Sequence, residues 1–210
     1  MEKKHRNNIK KISFIGLGLI GGSIAKTLKR VSPQIKLYAV SGHQSTITQA
    51  YQAGIIENSK MLSLHEISDS DYIFLCTPVQ QNLFYLTQLK EIIAPHTVLT
   101  DVGSVKGDIH RAAVKAGLEA HFIGGHPMAG SEKTGFAAAT PYLLENSFYI
   151  LTPSSKAEKQ QVSRLRDLVS SLGAIPLVLD YDLHDFATAA ISHLPHVLAY
   201  SLVNLVKEID

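Results

Sequence analysis

"ISFIGLGLIGGS", residues 12–23, is the stretch on which the reading of the fold turns. A short apolar run ends in Gly16, Gly18 and Gly21, spaced G-x-G-x-x-G, with Leu19 and Ile20 between the second and third. Residues 21–31, "GGSIAKTLKRV", then carry apolar side chains at helical period. Each glycine meets a separate need: a tight turn, a close approach of backbone to a pyrophosphate, and close packing of helix on strand. The start of the helix offers free backbone N–H groups to phosphate. Such a pattern alone is weak. Between a strand and a helix, at the head of an alternating chain, it reads as a dinucleotide-binding turn.

Outward from this turn, apolar β-rich runs alternate with helical segments. Strands are expected at 11–16, 35–40, 71–78, 97–103, 120–125, 147–153 and 175–180, and helices at 21–31, 45–54, near 80–93, 106–116 and 156–172. Runs such as "YIFLC" suit strands buried on both faces, so the fold class expected is α/β, a Rossmann-type doubly wound and mostly parallel sheet. After Asp180 the strands stop, and "YDLHDFATAAISHLPHVLAYSLVNLVKEI" reads as helix with a kink at Pro195. The expected division is a dinucleotide-binding domain over 1–180 and the beginning of an all-α substrate and dimerisation domain over 181–210. A helix of about 29 residues, roughly 43 Å long, finds too little partner surface here. It is expected to pack on a second chain or on residues beyond Asp210.

Composition excludes little but points one way. The chain has 210 residues, 45% hydrophobic, 18% charged, with a net charge of +2, as ordinary globular proteins do. The one dense basic run, "KKHRNNIKK" at 3–11, reads as a solvated tail, so nucleic acid is not an expected partner. A single cysteine, Cys76, precludes an internal disulfide and fits a reducing cytosol. No apolar run approaches the ~20 residues of a bilayer span, and the N-terminus lacks a cleavage-like end. No membrane partner is expected, and the location expected is cytoplasmic.

The acidic residue that binds the ribose hydroxyls of NAD stands about twenty residues after such a glycine turn. Here Ser41, Gly42, His43, Gln44 and Ser45 occupy that place, and no carboxylate occurs between Glu2 and Glu57. Ser41, His43 and Ser45 can each donate to a 2′-phosphate, so NADP is favoured. No arginine is present, and histidine is a weaker clamp than guanidinium, which leaves NAD as the alternative.

Ligands of open α/β sheets collect beyond the carboxyl ends of the strands. Three such ends carry polar residues: Thr77 and Pro78 after Cys76; Asp101, Gly103, Ser104 and Lys106; and His126, Ser131 and Thr134 within "GGHPMAGSEKTG". Ser104 stands where the N-cap of the next helix is expected, a role compatible with substrate contact. His126 reads either as a satisfied loop histidine or as a functional group held by flanking Gly-Gly and Pro. His184, Asp185, His193 and His196 gather along the last helix, the last two at i and i+3. Without cysteines or a further carboxylate at ligand spacing, no metal is expected there.

Taken together, "GLGLIGGS", "CTPV", "TDVGSVKG", "GGHPMAGSEKTG" and "HDFATAAISHLPH" resemble, in order and spacing, the prephenate/arogenate dehydrogenase family, from Ile12 to about Leu205. "VSGHQST" resembles the members that use NADP. The resemblance implies oxidative decarboxylation of a cyclohexadienol on the route to tyrosine. His126 would accept the hydrogen bond of the ring hydroxyl, and Ser104 would bind that hydroxyl or orient the imidazole. His184, His193 and His196, with Ser131 and Thr134, would line the substrate pocket. Gly16, Gly18, Leu19, Ile20, Gly21, Ser41, His43, Gln44, Ser45, Cys76, Thr77, Pro78, Asp101 and Gly103 would hold the cofactor. It also implies a homodimer formed through the helical domain, and a carboxylate-binding arginine at a position past Asp210. An imidazole of ordinary pKa near 6.5 is a neutral acceptor at pH 7 to 8, and activity would fall as it protonates. Rival readings are a β-hydroxyacid dehydrogenase, disfavoured because no lysine occurs between Asp180 and Leu205, a non-catalytic dinucleotide-binding module, and a methyltransferase, ranked last.

Overall fold

Side chains of the central strands alternate between two buried cores, and that alternation builds the sheet. The computed structural model describes residues 9–209, with side chains to Lys207; most of the basic run at 3–11 therefore lies outside the described residues. Within β1 (Lys11–Ile15), Ile12 and Phe14 enter one core and Ile15 the other. Within β3 (Tyr72–Leu75), Tyr72 and Phe74 join the first, and Ile73 and Leu75 the second. Phe14 stacks on Phe74 across the strand pair, with ring centroids 5.4 Å apart. Both faces are thus dry, as a parallel sheet requires.

Four strands pair in parallel in the order β2 (Lys36–Val40), β1, β3, β4 (Val98–Asp101). A second sheet follows in the order β5 (Ile123–Pro127), β6 (Phe148–Pro153), β7 (Ile175–Val178). A parallel bridge between Leu99 and Phe122 joins it to β4. Among the described strands only the β5–β6 pair is antiparallel. Helices α1 (Leu19–Val31), α2 (Gln44–Gln52), α3 (Val79–Leu89), α4 (Gly107–Lys115) and α5 (Lys159–Ser171) fill the connections. The chain leaves β1 toward β2 on one side and returns to β3 on the other, so the glycine turn lies at the topological switch point, where such sheets bind ligands.

One strand is displaced along the chain from its expected place. The fifth strand runs from Ile123 to Pro127 rather than 120–125, because residues 119–121 form a short helical turn. Gly124 and Gly125 let it run tight against its neighbours: a Cβ on Gly124 would meet Thr152 Oγ1 at 2.3 Å, and one on Gly125 the Asp101 carbonyl at 2.5 Å. His126 therefore stands on a strand end, buried, and not in a loop.

Beyond Asp180, which caps α6 (Tyr181–Thr188) by accepting from the amides of Asp182 and Leu183, the chain is helical. The kink expected at Pro195 appears as a π-helical turn over Ala189–His193, before α7 (Leu194–Ile209). Proline cannot supply the amide that would close the preceding α-helical turn. Phe186, Ile191, Tyr200 and Leu202 on this stretch are exposed. By length and composition, Tyr181–Lys207 could also cross a membrane, with a window of mean hydropathy 1.3. That corrects the expectation that no run approaches a span: interspersed Thr, Ser and His hide it from a search for unbroken apolar residues.

Candidate active site

The carboxyl ends of β1, β3, β4 and β5 meet on one edge of the sheet, and the candidate residues lie there. Gly16, at φ 90°, turns the chain beneath the end of β3, where a Cβ would press on Thr77 and Cys76 at 2.8–2.9 Å. At Gly21 a Cβ would lie 2.7 Å from the Gly16 carbonyl, so α1 packs on the turn only because the side chain is missing. Nothing stands within 4 Å of a Cβ on Gly18, the N-cap of α1, and no side chain caps that helix. An open cradle before uncapped amides fits the pyrophosphate of a dinucleotide.

Past β2, Ser41 is half-buried and accepts from the His43 amide at 3.2 Å, while His43 and Ser45 are exposed. Gln44 is spoken for: its side chain donates to the Ser59 carbonyl at 2.9 Å and accepts from the Met61 amide at 3.3 Å. It braces the turn instead of reaching a ligand. Thr77 donates to Asn82, and burial pushes the Cys76 thiol up, so neither is presented as a free polar group.

Asp101 is a correction. Its carboxylate is fully buried, accepts from the amides of Gly103 at 2.9 Å and Gly125 at 3.1 Å, and pairs with the equally buried Lys106. Lys106 also donates to the Gly125 carbonyl at 2.8 Å. The pair bolts the end of β4 to β5 and has no face left for a cofactor. Burial lowers the Lys106 pKa, against the pull of Asp101. In the sequence Lys106 is merely one polar residue after a strand, because a lysine is expected at the surface.

Ser104 is exposed and does not cap the next helix. That helix starts at Gly107, where a Ser104 cap would have started it at Val105, and the side chain of Asp185 on α6 accepts from both the Lys106 and Gly107 amides at 2.8 Å. Nor is Ser104 the group that holds the imidazole. His126 Nδ1 lies 2.8 Å from His184 Nε2, and His184 Nδ1 lies 2.8 Å from Asp185 Oδ1. His184 is fully buried, so it stands behind His126 and not in a substrate pocket. His126 Nε2 has no hydrogen-bond partner among the described residues.

Burial first, then the charge of Lys106 and the nearby His184 and His193, push the His126 pKa down to about 4. The ring is therefore neutral at physiological pH with a wider margin than its ordinary pKa implied, and its acid limb belongs well below 6.5. His193 and His196 are exposed, and His196 Nδ1 bonds the Ser192 carbonyl at 2.7 Å. Ser131 and Thr134 lie on an exposed loop. Asp185, which the sequence offers only as a candidate metal ligand, joins the site because the fold sets its carboxylate against His184. A separate cleft of about 410 Å³ at the amino end of the sheet, lined by Asp71, Tyr72, His96 and Arg164 among others, contains none of these residues.

The family model described as the nucleotide-binding domain of prephenate dehydrogenase matches residues 24–177. A prephenate dehydrogenase of Bacillus subtilis (strain 168) is 38% identical over 195 residues, 92% of this chain and 53% of the relative. The crystal structure of prephenate dehydrogenase from A. aeolicus in complex with hydroxyphenyl propionate and NAD+ superposes with a TM-score of 0.88 at 30% identity, over 96% of this chain and 71% of that one. Synechocystis arogenate dehydrogenase gives a TM-score of 0.84 at 36% identity, over 93% and 68%. The chain spans about half the length of the curated relatives it matches.

Proposed function

The chain belongs to the prephenate dehydrogenase family, and from that premise we propose that it serves the oxidative decarboxylation of prephenate, or of arogenate, in the making of tyrosine. The observation that carries this reading is the unengaged Nε2 of a neutral, buried His126 on the sheet edge that also bears the glycine turn. A nicotinamide dinucleotide bound on that turn would supply the electron-pair acceptor. The chain's own residues do the rest. As the ring carbinol carbon gives up its hydride, its hydroxyl proton is drawn to His126 Nε2; the ring carboxylate leaves as CO2 with aromatisation, and the phenol oxygen takes the proton back. General-base help of this kind contributes typically ~10²–10⁴ in rate. Ser104, exposed one loop away, is assigned to the substrate hydroxyl, and His193, His196, Ser131 and Thr134 to the rim of the substrate pocket.

The cofactor reading favours NADP, supported by Ser41, His43 and Ser45 around a turn without a carboxylate. Ser41→Asp should lower kcat/KM for NADP by about tenfold or more, like charges being costly at short range, and spare NAD. A higher kcat/KM with NAD in the unaltered protein overturns that preference. The exposed apolar side chains of α6 and α7 support a homodimer formed through the helical segment; with that face covered by a second copy, the location is the cytoplasm, with no membrane partner. An assay crossing both substrates with both cofactors at 340 nm tests the activity itself; cofactor binding without substrate-dependent reduction would favour a non-catalytic module.

A further inference from the structure

We infer that Asp185 is a positioning residue for the reaction: held by the backbone amides that open α4, its carboxylate fixes the His184 ring, and through it leaves the bare nitrogen of His126 facing the substrate. The inference rests on the proposed role of His126 and adds the group that orients it.

The wiring follows from counting donors. Asp185 Oδ1 lies 2.8 Å from both the Lys106 amide and His184 Nδ1, and Oδ2 lies 2.8 Å from the Gly107 amide. Burial raises the Asp185 pKa, but the two amides and His184 outweigh it and hold the carboxyl below its ordinary value. An ionised carboxylate only accepts, so His184 carries its proton on Nδ1. A neutral ring has one N–H, which makes His184 Nε2 an acceptor. The 2.8 Å contact then requires His126 Nδ1 to donate, and the lone pair of His126 falls on Nε2. As that nitrogen takes up a proton, the positive ring is stabilised through His184 by the carboxylate, the role an aspartate plays behind a catalytic histidine. This matters because the other groups facing His126, Lys106 before α4, His184 itself and His193 on the π turn, all oppose protonation. Asp185 alone among the named groups favours it.

Asparagine at 185 cannot reproduce this. With its oxygen toward the Lys106 amide and His184, its NH2 meets the Gly107 amide head-on. Flipped, its NH2 meets the Lys106 amide head-on instead, and it donates toward His184 Nδ1, which drives both imidazoles into the opposite tautomer. A merely structural cap would be weakened by the same change without disturbing the tautomers.

Nitrogen-15 NMR of the histidine-labelled chain reads the wiring without turnover. In the unaltered protein, His126 should show a protonated Nδ1 and a bare Nε2, and Asp185→Asn should shift it toward Nε2–H. A protonated Nε2 in the unaltered protein overturns the inference, even if the variant fails to fold. So does an unchanged tautomer in a folded Asp185→Asn. In the complete enzyme, Asp185→Asn should cut kcat by about 10- to 100-fold with cofactor KM little changed, and should add nothing to His126→Asn. Full additivity means that Asp185 acts elsewhere and sinks the inference. Near-normal turnover in His126→Asn instead removes the proposed base, while the NMR result still decides the wiring.

Discussion

His110 and His126 are both buried imidazoles pushed to a pKa of about 4, mainly by burial, and they are put to opposite uses. His110 on α4 has both nitrogens occupied, Nε2 by Thr152 Oγ1 at 2.9 Å and Nδ1 by Ser154 Oγ at 3.3 Å. Its ring is stacked on Tyr181 and set edge-on to Phe122. His126 has one nitrogen held by His184 and the other left over. Burial and a displaced pKa are therefore no mark of chemistry by themselves. An unspent lone pair behind a chain of fixed donors is what separates the two.

Lys106 depresses both rings, so altering it strikes both at once. Lys106→Met leaves Asp101 buried without its cation and should cost about 3–5 kcal/mol of stability, read by urea unfolding. A loss near zero would mean that the pair does not bind β4 to β5. Next in size, His126→Asn should lower kcat by about 10²-fold or more, with cofactor affinity and thermal stability little changed. Unimpaired turnover would erase the contrast with His110. The reverse holds for His110→Asn: a loss of about 1–3 kcal/mol through unpaired hydroxyls, with little effect on kcat.

In one respect the two rings should behave alike. Each has a folded-state pKa below its unfolded value of about 6.5. Their stabilisation is complete above pH 6.5 and is lost as pH falls toward 4, by up to about 1.4 kcal/mol per pH unit for each. Replacing either ring by Asn should relieve its own share of that slope. Unequal shares would show that the burial of the two is not equivalent. The acid limb of kcat/KM should lie below pH 5.5, and a limb at 6.5 would contradict the depression of His126.

Much of the fold was legible because its signals are local. The β-strand runs, the glycine spacing and the helical period each occupy a dozen residues or fewer, and the strands emerged within a few positions of where alternation put them. The errors fell where a distant residue intervened. Ser104 reads as the cap of α4 only until Asp185, about eighty residues on, is seen to take the two amides. Asp101 and Gln44 read as cofactor ligands until their side chains are found engaged with Lys106 and with the loop at Ser59. His126 was singled out from its setting, but nothing in "GGHPMAG" announces His184, 58 residues away.

From its sequence alone, this protein is an α/β chain with a nucleotide turn, a histidine at the working edge of its sheet and a helical end rich in apolar residues. Those features follow from backbone sterics and from the periods of strand and helix, which neighbouring residues set among themselves. Tertiary structure alone decided which nitrogen of His126 is free, and which charges lie beside it. Those depend on how strand β5 and helix α6 are brought against the start of α4, and hydrogen bonds between residues so far apart leave no period in the chain.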